Sequence, residues 1–331
     1  MTTLVARTRR MLGPEMAGPV LAFLAVMLIF GTSSPQFLSR ATFGSVAFQL
    51  PELGLLTLAM LLPILTGGLN LAVTFTANIA GLVVAWVLQA NGGVDAGPAA
   101  FALGALLALA AGAASGIVMG LVIAYTRAHP ILVSLSMMIF LRGLGEFLTR
   151  GGDVSGFPTF IRQLGHGSIL GIPAPLLVFI LCVGLWHLLL SRTKLGFNTY
   201  MIGSNIEAAH YSGVNTRKVL VLVYTLSGIM CAVAGIIMMA RFNSVRIGHG
   251  ESYLLITVLA CFLGGVNPFG GFGRVIPVFV ALVVLQLLSS GLNLLGANQH
   301  LATAVWGMLL VAVMILRWIA GQFGYLVGKR E

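Results

Sequence analysis

The side chains best suited to chemistry in this 331-residue sequence are eight carboxylates, six histidines and three cysteines. Their spacing limits what they can do. His129, His166, His187, His210, His249 and His300 never fall at ligand spacing, and no His-Glu-x-x-His pair occurs, so no zinc or other metal site is expected. Cys182, Cys231 and Cys261 lie far apart, each inside an apolar run. That placement favours buried free thiols over a disulfide or a metal cage. No Gly-x-x-x-x-Gly-Lys-Ser/Thr loop is present, so the chain has no such cradle for nucleotide phosphates. The carboxylates are Glu15, Glu52, Asp95, Glu146, Asp153, Glu207, Glu251 and Glu331. All but Glu146 fall at or outside the ends of the apolar runs, which is thin supply for a proton relay. No catalytic residues and no bound cofactor are expected.

What remains is polar chemistry at a few points. Ser204-x-x-Glu207 reads as a capping box, so a two-turn helix is expected from Ser204 through Asn205, Glu207, Ala208 and Ala209. Gly213 is placed to end it in a left-handed conformation. Ala208 and Ala209 are small enough for a helix pressed into a groove, and Ala209→Arg is expected to spare folding because the site lies outside the bilayer. Gly67-Gly68-Leu69-Asn70 breaks a long apolar run; Gly67, Gly68 and Asn70, with Asn293, are candidates for lining a path, and Asn70 is expected to face a dimer interior. Arg142 and Glu146 stand at i, i+4 within an apolar run, where an isolated charge costs roughly 2.5–3.5 kcal/mol and a pair neutralises itself. The expected role is a structural ion pair near the outer end of a helix; the alternative is a polar lining of the pathway. Asn78, Gln89, Gln286 and Asn293 read as helix-to-helix hydrogen bonds, with substrate contact as the alternative.

The elements that position these groups follow from composition. Hydrophobic residues make up 58% and charged residues 8%, against roughly 25% charged in a globular protein. That excludes a cytosolic enzyme and a disordered chain. The 42 glycines suit helices whose backbones touch. Stretches free of Asp, Glu, Lys and Arg run over 16–39, 53–94, 96–126, 163–191, 219–240, 252–273 and 275–316, with a further run at 131–149 interrupted by Arg142 and Glu146. The two 42-residue stretches each hold two spans, so about ten transmembrane helices are expected. With both termini inside, Arg7, Arg9, Arg10, Arg127, Arg192, Lys194, Arg217, Lys218, Arg274, Arg317, Lys329 and Arg330 gather on the cytoplasmic side, twelve cations against six. The first span lacks an Ala-x-Ala site and reads as uncleaved. Residues 120–141 and 291–312 match weakly five spans apart, which suggests an inverted 5+5 repeat. Residues 1–331 read as a single transmembrane domain. Its longest inter-span loop, about 191–218, carries the Ser204–Gly213 helix and is flanked by Arg192, Lys194, Arg217 and Lys218.

The loop also carries a resemblance. Thr193-Lys194-Leu195-Gly196-Phe197, Gly203-Ser204-Asn205-Ile206-Glu207-Ala208-Ala209 and Ser212-Gly213-Val214 resemble the cytoplasmic loop of ribose-type permeases of ABC importers, within the branched-chain amino acid/monosaccharide permease superfamily. The likeness extends to Gly67–Val73, Arg142-Gly143, Tyr224–Gly228, Leu263–Gly273 and Gly291–Gly296, in matching order over roughly 45–318. One departure stands out. Where the family usually has Gly-Gly-Ile-Asp-Leu-Ser-Val-Gly, this chain has Gly67-Gly68-Leu69-Asn70-Leu71-Ala72-Val73-Thr74, and the acid is an amide.

The resemblance implies a non-catalytic permease subunit of an ATP-driven importer in a bacterial inner membrane, moving a monosaccharide or similar small polyol by alternating access. Residues 204–213 would then be the coupling helix that meets a separate ABC ATPase subunit, which holds ATP and Mg. A periplasmic substrate-binding protein and a second permease, identical or paralogous, are the other implied partners, besides membrane lipid; nucleic acid is not one. A branched-chain amino-acid permease is the nearest alternative. A secondary carrier or a uniport channel is the rival from another class.

Overall fold

The computed structural model describes residues 14–169 and 171–327. Arg7, Arg9, Arg10, Lys329 and Arg330, which enter the charge count above, lie outside the described residues, as does Glu331. Eight helices among the described residues are long and apolar enough to cross a membrane. They are α1 (Pro14–Ser33), α2 (Arg40–Leu65), α3 (Val73–Ala90), α4 (Pro98–Thr126), α5 (Pro130–Thr149), α7 (Ala174–Arg192), α10 (Thr216–Phe242) and α12 (Val275–Leu294). Two more apolar stretches are shorter: α11 (Tyr253–Leu263), and His300–Ile315 within α13 (Gln299–Val327). The chain is an all-α, multi-pass integral membrane protein.

The expected span at 252–273 is only half helical. After Leu263 the chain unwinds through Gly264, Gly265, Gly270 and Gly271, three of which have positive φ. Eleven helical residues rise about 16 Å, too little to cross a core of about 30 Å. Irregular backbone at membrane depth is tolerated where protein surrounds it. Here Val266 is fully buried, and the Gly271 amide donates to the Leu65 carbonyl at 3.0 Å. The other long break, between α2 and α3, comes where the sequence placed it, at Thr66–Ala72.

Helix α10 is central and packs along α4, α3 and α2. Its seam with α4 explains much of the glycine content. Gly104, Ala108, Gly112, Gly116 and Gly120 recur every fourth residue and are all buried. A Cβ on Gly112 would overlap the Gly228 carbonyl, and one on Gly228 would overlap the Gly112 carbonyl. The two backbones therefore touch, as small residues four apart allow. The segments 120–141 and 291–312 each fold as a helix end, a turn and the start of another helix.

The loop from Arg150 to Pro173 holds a short helix, α6 (Thr159–His166), and three two-residue strands, β1 (Val154–Ser155), β2 (Ser168–Ile169) and β3 (Ile172–Pro173). β1 pairs antiparallel with β4 (Ser244–Val245), tying the exit of α5 to the exit of α10, and β2 pairs with β3. The loop at 191–218 contains two helices rather than one: α8 (Lys194–Ser204) and α9 (Ile206–Tyr211).

Candidate functional site

Helix α9 starts one residue later than the capping box implies. Ser204 is the last residue of α8, and Asn205 stands between the two helices in extended conformation, φ −162°. The Asn205 carboxamide oxygen, not the Ser204 hydroxyl, accepts from the Ala208 amide at 2.9 Å. Asparagine caps as well as serine, so α8 runs on through Ser204 and Asn205 takes over the cap. At the other end the Gly213 amide donates to the His210 carbonyl at 3.0 Å and the Val214 amide to the Ala209 carbonyl at 3.1 Å. With Gly213 at φ +82° this is a Schellman motif. The two alanines have opposite roles. Ala208 and Glu207 are exposed, whereas Ala209 is fully buried in the main apolar core. The expectation that Ala209→Arg spares folding is therefore overturned: the side chain of residue 209 faces its own subunit.

Helix α8, which leads into α9, ends against the α2–α3 break. A Cβ on Gly203, at the end of α8, would overlap the Leu65 carbonyl and the Gly271 amide, and one on Gly270 would overlap the backbone of Gly67. Three chain segments thus meet backbone to backbone where α2 ends. The Tyr200 hydroxyl donates to the Gly273 carbonyl at 2.7 Å. A cavity of about 1160 Å³ lies alongside, lined by Thr66, Arg127, His129, Glu207, His210 and Lys218 among others.

At the break itself Gly67 is exposed, while Gly68 and Asn70 are buried. Asn70 does not line an open path within the subunit. Its amide donates to the Ser227 hydroxyl at 2.9 Å, and its oxygen accepts from the Ala72 amide at 3.0 Å. Ser227 in turn donates to the Ala59 carbonyl at 2.7 Å, so its oxygen needs a donor. An aspartate could not supply one, whereas the amide satisfies α2, α3 and α10 together. Asn293 is remote from this point. It is exposed near the far end of α12, eighteen residues after a start beside the glycine loop, roughly 27 Å away along the helix.

The Arg142–Glu146 pair forms, at 3.1 Å between Nε and Oε1, and gains a third member missed in the sequence. Arg142 Nη1 lies 3.0 Å from Glu251 Oε1, in the turn before α11, and its guanidinium carbon is 5.7 Å from the centre of the Phe75 ring. Arg246 and Asp153 face each other nearby at 3.7 Å. Gln286 makes the interhelical bond expected of it, whereas Asn78 bonds to the turn that follows β4 rather than to a helix. Gln286 donates to Gln49 at 3.0 Å, and Asn78 donates to the carbonyls of Ile247 and His249 at 2.6 and 3.1 Å.

Glu52 corrects the inventory of carboxylates. It sits near the middle of α2, fully buried, with Arg241 of α10 at 3.0 Å and the Tyr253 hydroxyl donating to it at 3.3 Å. Arg241 also donates to the Phe48 carbonyl at 3.1 Å. In the sequence Glu52 falls outside a span, because its charge bounds an apolar run. A buried pair cancels the charge that such a boundary relies on. The signal was present in the distance from Arg40 to the Gly67 break, which is too long for a connector. All three cysteines are free and buried, and no cluster of metal-ligating side chains occurs among the described residues.

Comparison with known proteins adds to this geometry. The family described as branched-chain amino acid transport system / permease component matches residues 42–315. The chain is 33% identical over 302 residues to the ribose import permease protein RbsC of Escherichia coli (strain K12), covering 90% of each chain. It is 32% identical over 301 residues to RbsC of Bacillus subtilis, covering 90% of this chain and 91% of the other. It is 30% identical over 308 residues to the autoinducer 2 import system permease protein LsrD of Photorhabdus temperata, covering 91% of this chain and 90% of the other. No solved structure matches significantly.

Proposed function

The chain belongs to the branched-chain amino acid transport permease family, and from that premise we propose that it is the membrane-spanning subunit of an ATP-driven importer carrying a monosaccharide or similar small polyol. The observation that carries this reading is the likeness, over nine-tenths of both chains, to proteins named as ribose import permeases. The subunit works without catalytic residues of its own. ATP and Mg bind to a separate ATPase subunit, a substrate-binding protein delivers cargo at the outer face, and a second permease, identical or paralogous, completes the path. The setting is a bacterial inner membrane with both termini cytoplasmic, and the two five-span halves form an inverted repeat.

In this reading α9 is the coupling helix. Its exposed face, with Glu207, Ala208 and Tyr211, enters a groove of the ATPase, while Ala209 anchors it to the permease. Movement of α9 reaches the membrane through Gly203, whose backbone bears on the end of α2 and on the glycine loop without a flexible side chain between them. The α2–α3 break, with Gly67, Gly68 and Asn70, is where that displacement enters the spans.

The test is uptake by vesicles containing this chain, its ATPase and its binding protein. Ribose should enter only when ATP is supplied on the ATPase side. Uptake of leucine in place of ribose would move the chain to the branched-chain amino-acid reading that the family's description names. ATP-independent uptake would make it a carrier or channel.

A further inference from the structure

Three charged side chains occupy a place that lipid cannot cover. Arg142 lies seven residues and Glu146 three residues before the end of α5, about 10 Å and 5 Å below it along the axis. With Glu251 they form one linked cluster, and their side chains are 47%, 51% and 53% exposed. Ionisable groups at this depth face a protein interior or water, not hydrocarbon. Snorkelling does not resolve the problem. Arg142 is held by two carboxylates and lies near the Phe75 ring, so it is not free to reach out to the headgroups. The cluster ends a stripe of exposed residues at heptad spacing, Leu132, Leu135, Ile139, Arg142 and Glu146. The stripe is apolar through the depth of the span and charged at its outer end.

We propose that this stripe of α5 faces the aqueous path, and that Arg142, Glu146 and Glu251 are the outer contact that takes the hydroxyl groups of the cargo. The inference rests on the importer reading above and adds to it the residues that select a polyol. A guanidinium has five N–H donors. The two ion pairs engage Arg142 through Nε and Nη1, leaving donors on Nη1 and Nη2. Both carboxylates use Oε1 for Arg142, so each Oε2 can accept. Adjacent donors and acceptors match a vicinal diol, whose oxygens accept from the guanidinium while its O–H groups donate to the carboxylates. The cluster carries one net negative charge, so the carboxylate of an amino acid is repelled and a neutral polyol is admitted.

The closing experiment has two arms. In the first, Ile139→Cys, one turn below Arg142, is treated with a charged, membrane-impermeant thiol reagent added from outside to membranes of the assembled importer. The native thiols are buried and give a low background. Ile139→Cys should react, and ribose with its binding protein and ATP should slow the reaction. In the second arm, ribose uptake and ATP hydrolysis are measured together for Arg142→Gln, Arg142→Lys and Glu251→Gln at matched membrane levels. Uptake should fall roughly tenfold for the Gln variants, as expected for loss of a charge-assisted contact, with ATP hydrolysis retained and Lys restoring part of the uptake. An unreactive Ile139→Cys, or wild-type uptake by Arg142→Gln, overturns the inference while wild-type protein still transports ribose. If wild-type protein fails to transport any polyol, the importer reading itself has failed.

Discussion

Glu52 and Arg241 put two opposite charges into the interior, where each is stable only because the other is there. Their contact of 3.0 Å runs from Arg241 Nε to Glu52 Oε1, but Oε1 has no aligned hydrogen bond, so the contact is charge against charge. Removing one partner of such a pair typically costs about 3–5 kcal/mol, because the other is left buried and unpaired. Glu52→Gln should lower the melting temperature in detergent markedly, and Glu52→Gln with Arg241→Gln should recover part of the loss. Equal or greater loss in the double variant would show that the pair is not the cause. Asn70 makes a related case with the sign reversed. Asn70→Asp removes the donor to Ser227 and buries a carboxylate. A loss of about 1–3 kcal/mol follows, readable as a lower melting temperature. His249 lies outside the spans, in the turn before α11. Partial burial holds its pKa below the usual 6.5, with Arg246 pushing the same way and Asp153 opposing. The unfolded chain therefore takes up a proton at higher pH than the folded one, so stability is complete above about pH 6.5 and falls as the pH drops below it. His249→Gln should flatten that fall, measured as melting temperature between pH 7.5 and 5.5.

At the scale of the element, α9 has only six residues and owes its position to its ends and one buried side chain. Asn205 caps it, the Schellman turn at Gly213 closes it, and Ala209 fixes it to the body. The two alanines therefore separate docking from folding. Ala208→Arg lies on the exposed face and should change stability by less than about 0.5 kcal/mol, yet abolish ATP-driven uptake and co-purification of the ATPase. Ala209→Arg forces a long cation into a filled core and should cost more than about 3 kcal/mol, seen as loss of folded protein. Full uptake by Ala208→Arg would reduce α9 to a connector. The sequence made the two alanines look equivalent, because a helix this short has no periodicity to say which face is covered. Their difference comes from α8 and α10, the helices against which α9 packs.

For the whole molecule, the absence of a phosphate-binding loop is as informative as any feature present. Purified alone, the chain should hydrolyse no ATP above a mock preparation, and added ATPase subunit should restore hydrolysis in the mixture. Turnover by an ATPase-free preparation would remove the division of labour on which the importer reading depends.

Composition and run length were enough to determine an all-α membrane protein, the break at Gly67–Asn70, the free thiols and the Arg142–Glu146 pair, because each depends on local hydropathy or on spacing within one helix. The sequence also carried the likeness to ribose-type permeases, since motifs in matching order need no coordinates. Three things waited for the tertiary structure. Glu52 entered the bilayer only because Arg241, 189 positions away in the sequence, cancels its charge. Glu251 joined Arg142 from a turn 109 positions on. The apolar run at 252–273 stopped being a full helix because the end of α2 accepts the hydrogen bond that its unwound backbone offers. In each case a partner distant in sequence met a charge or a backbone amide that no local pattern could satisfy, and a buried polar group is stable only when such a partner is found.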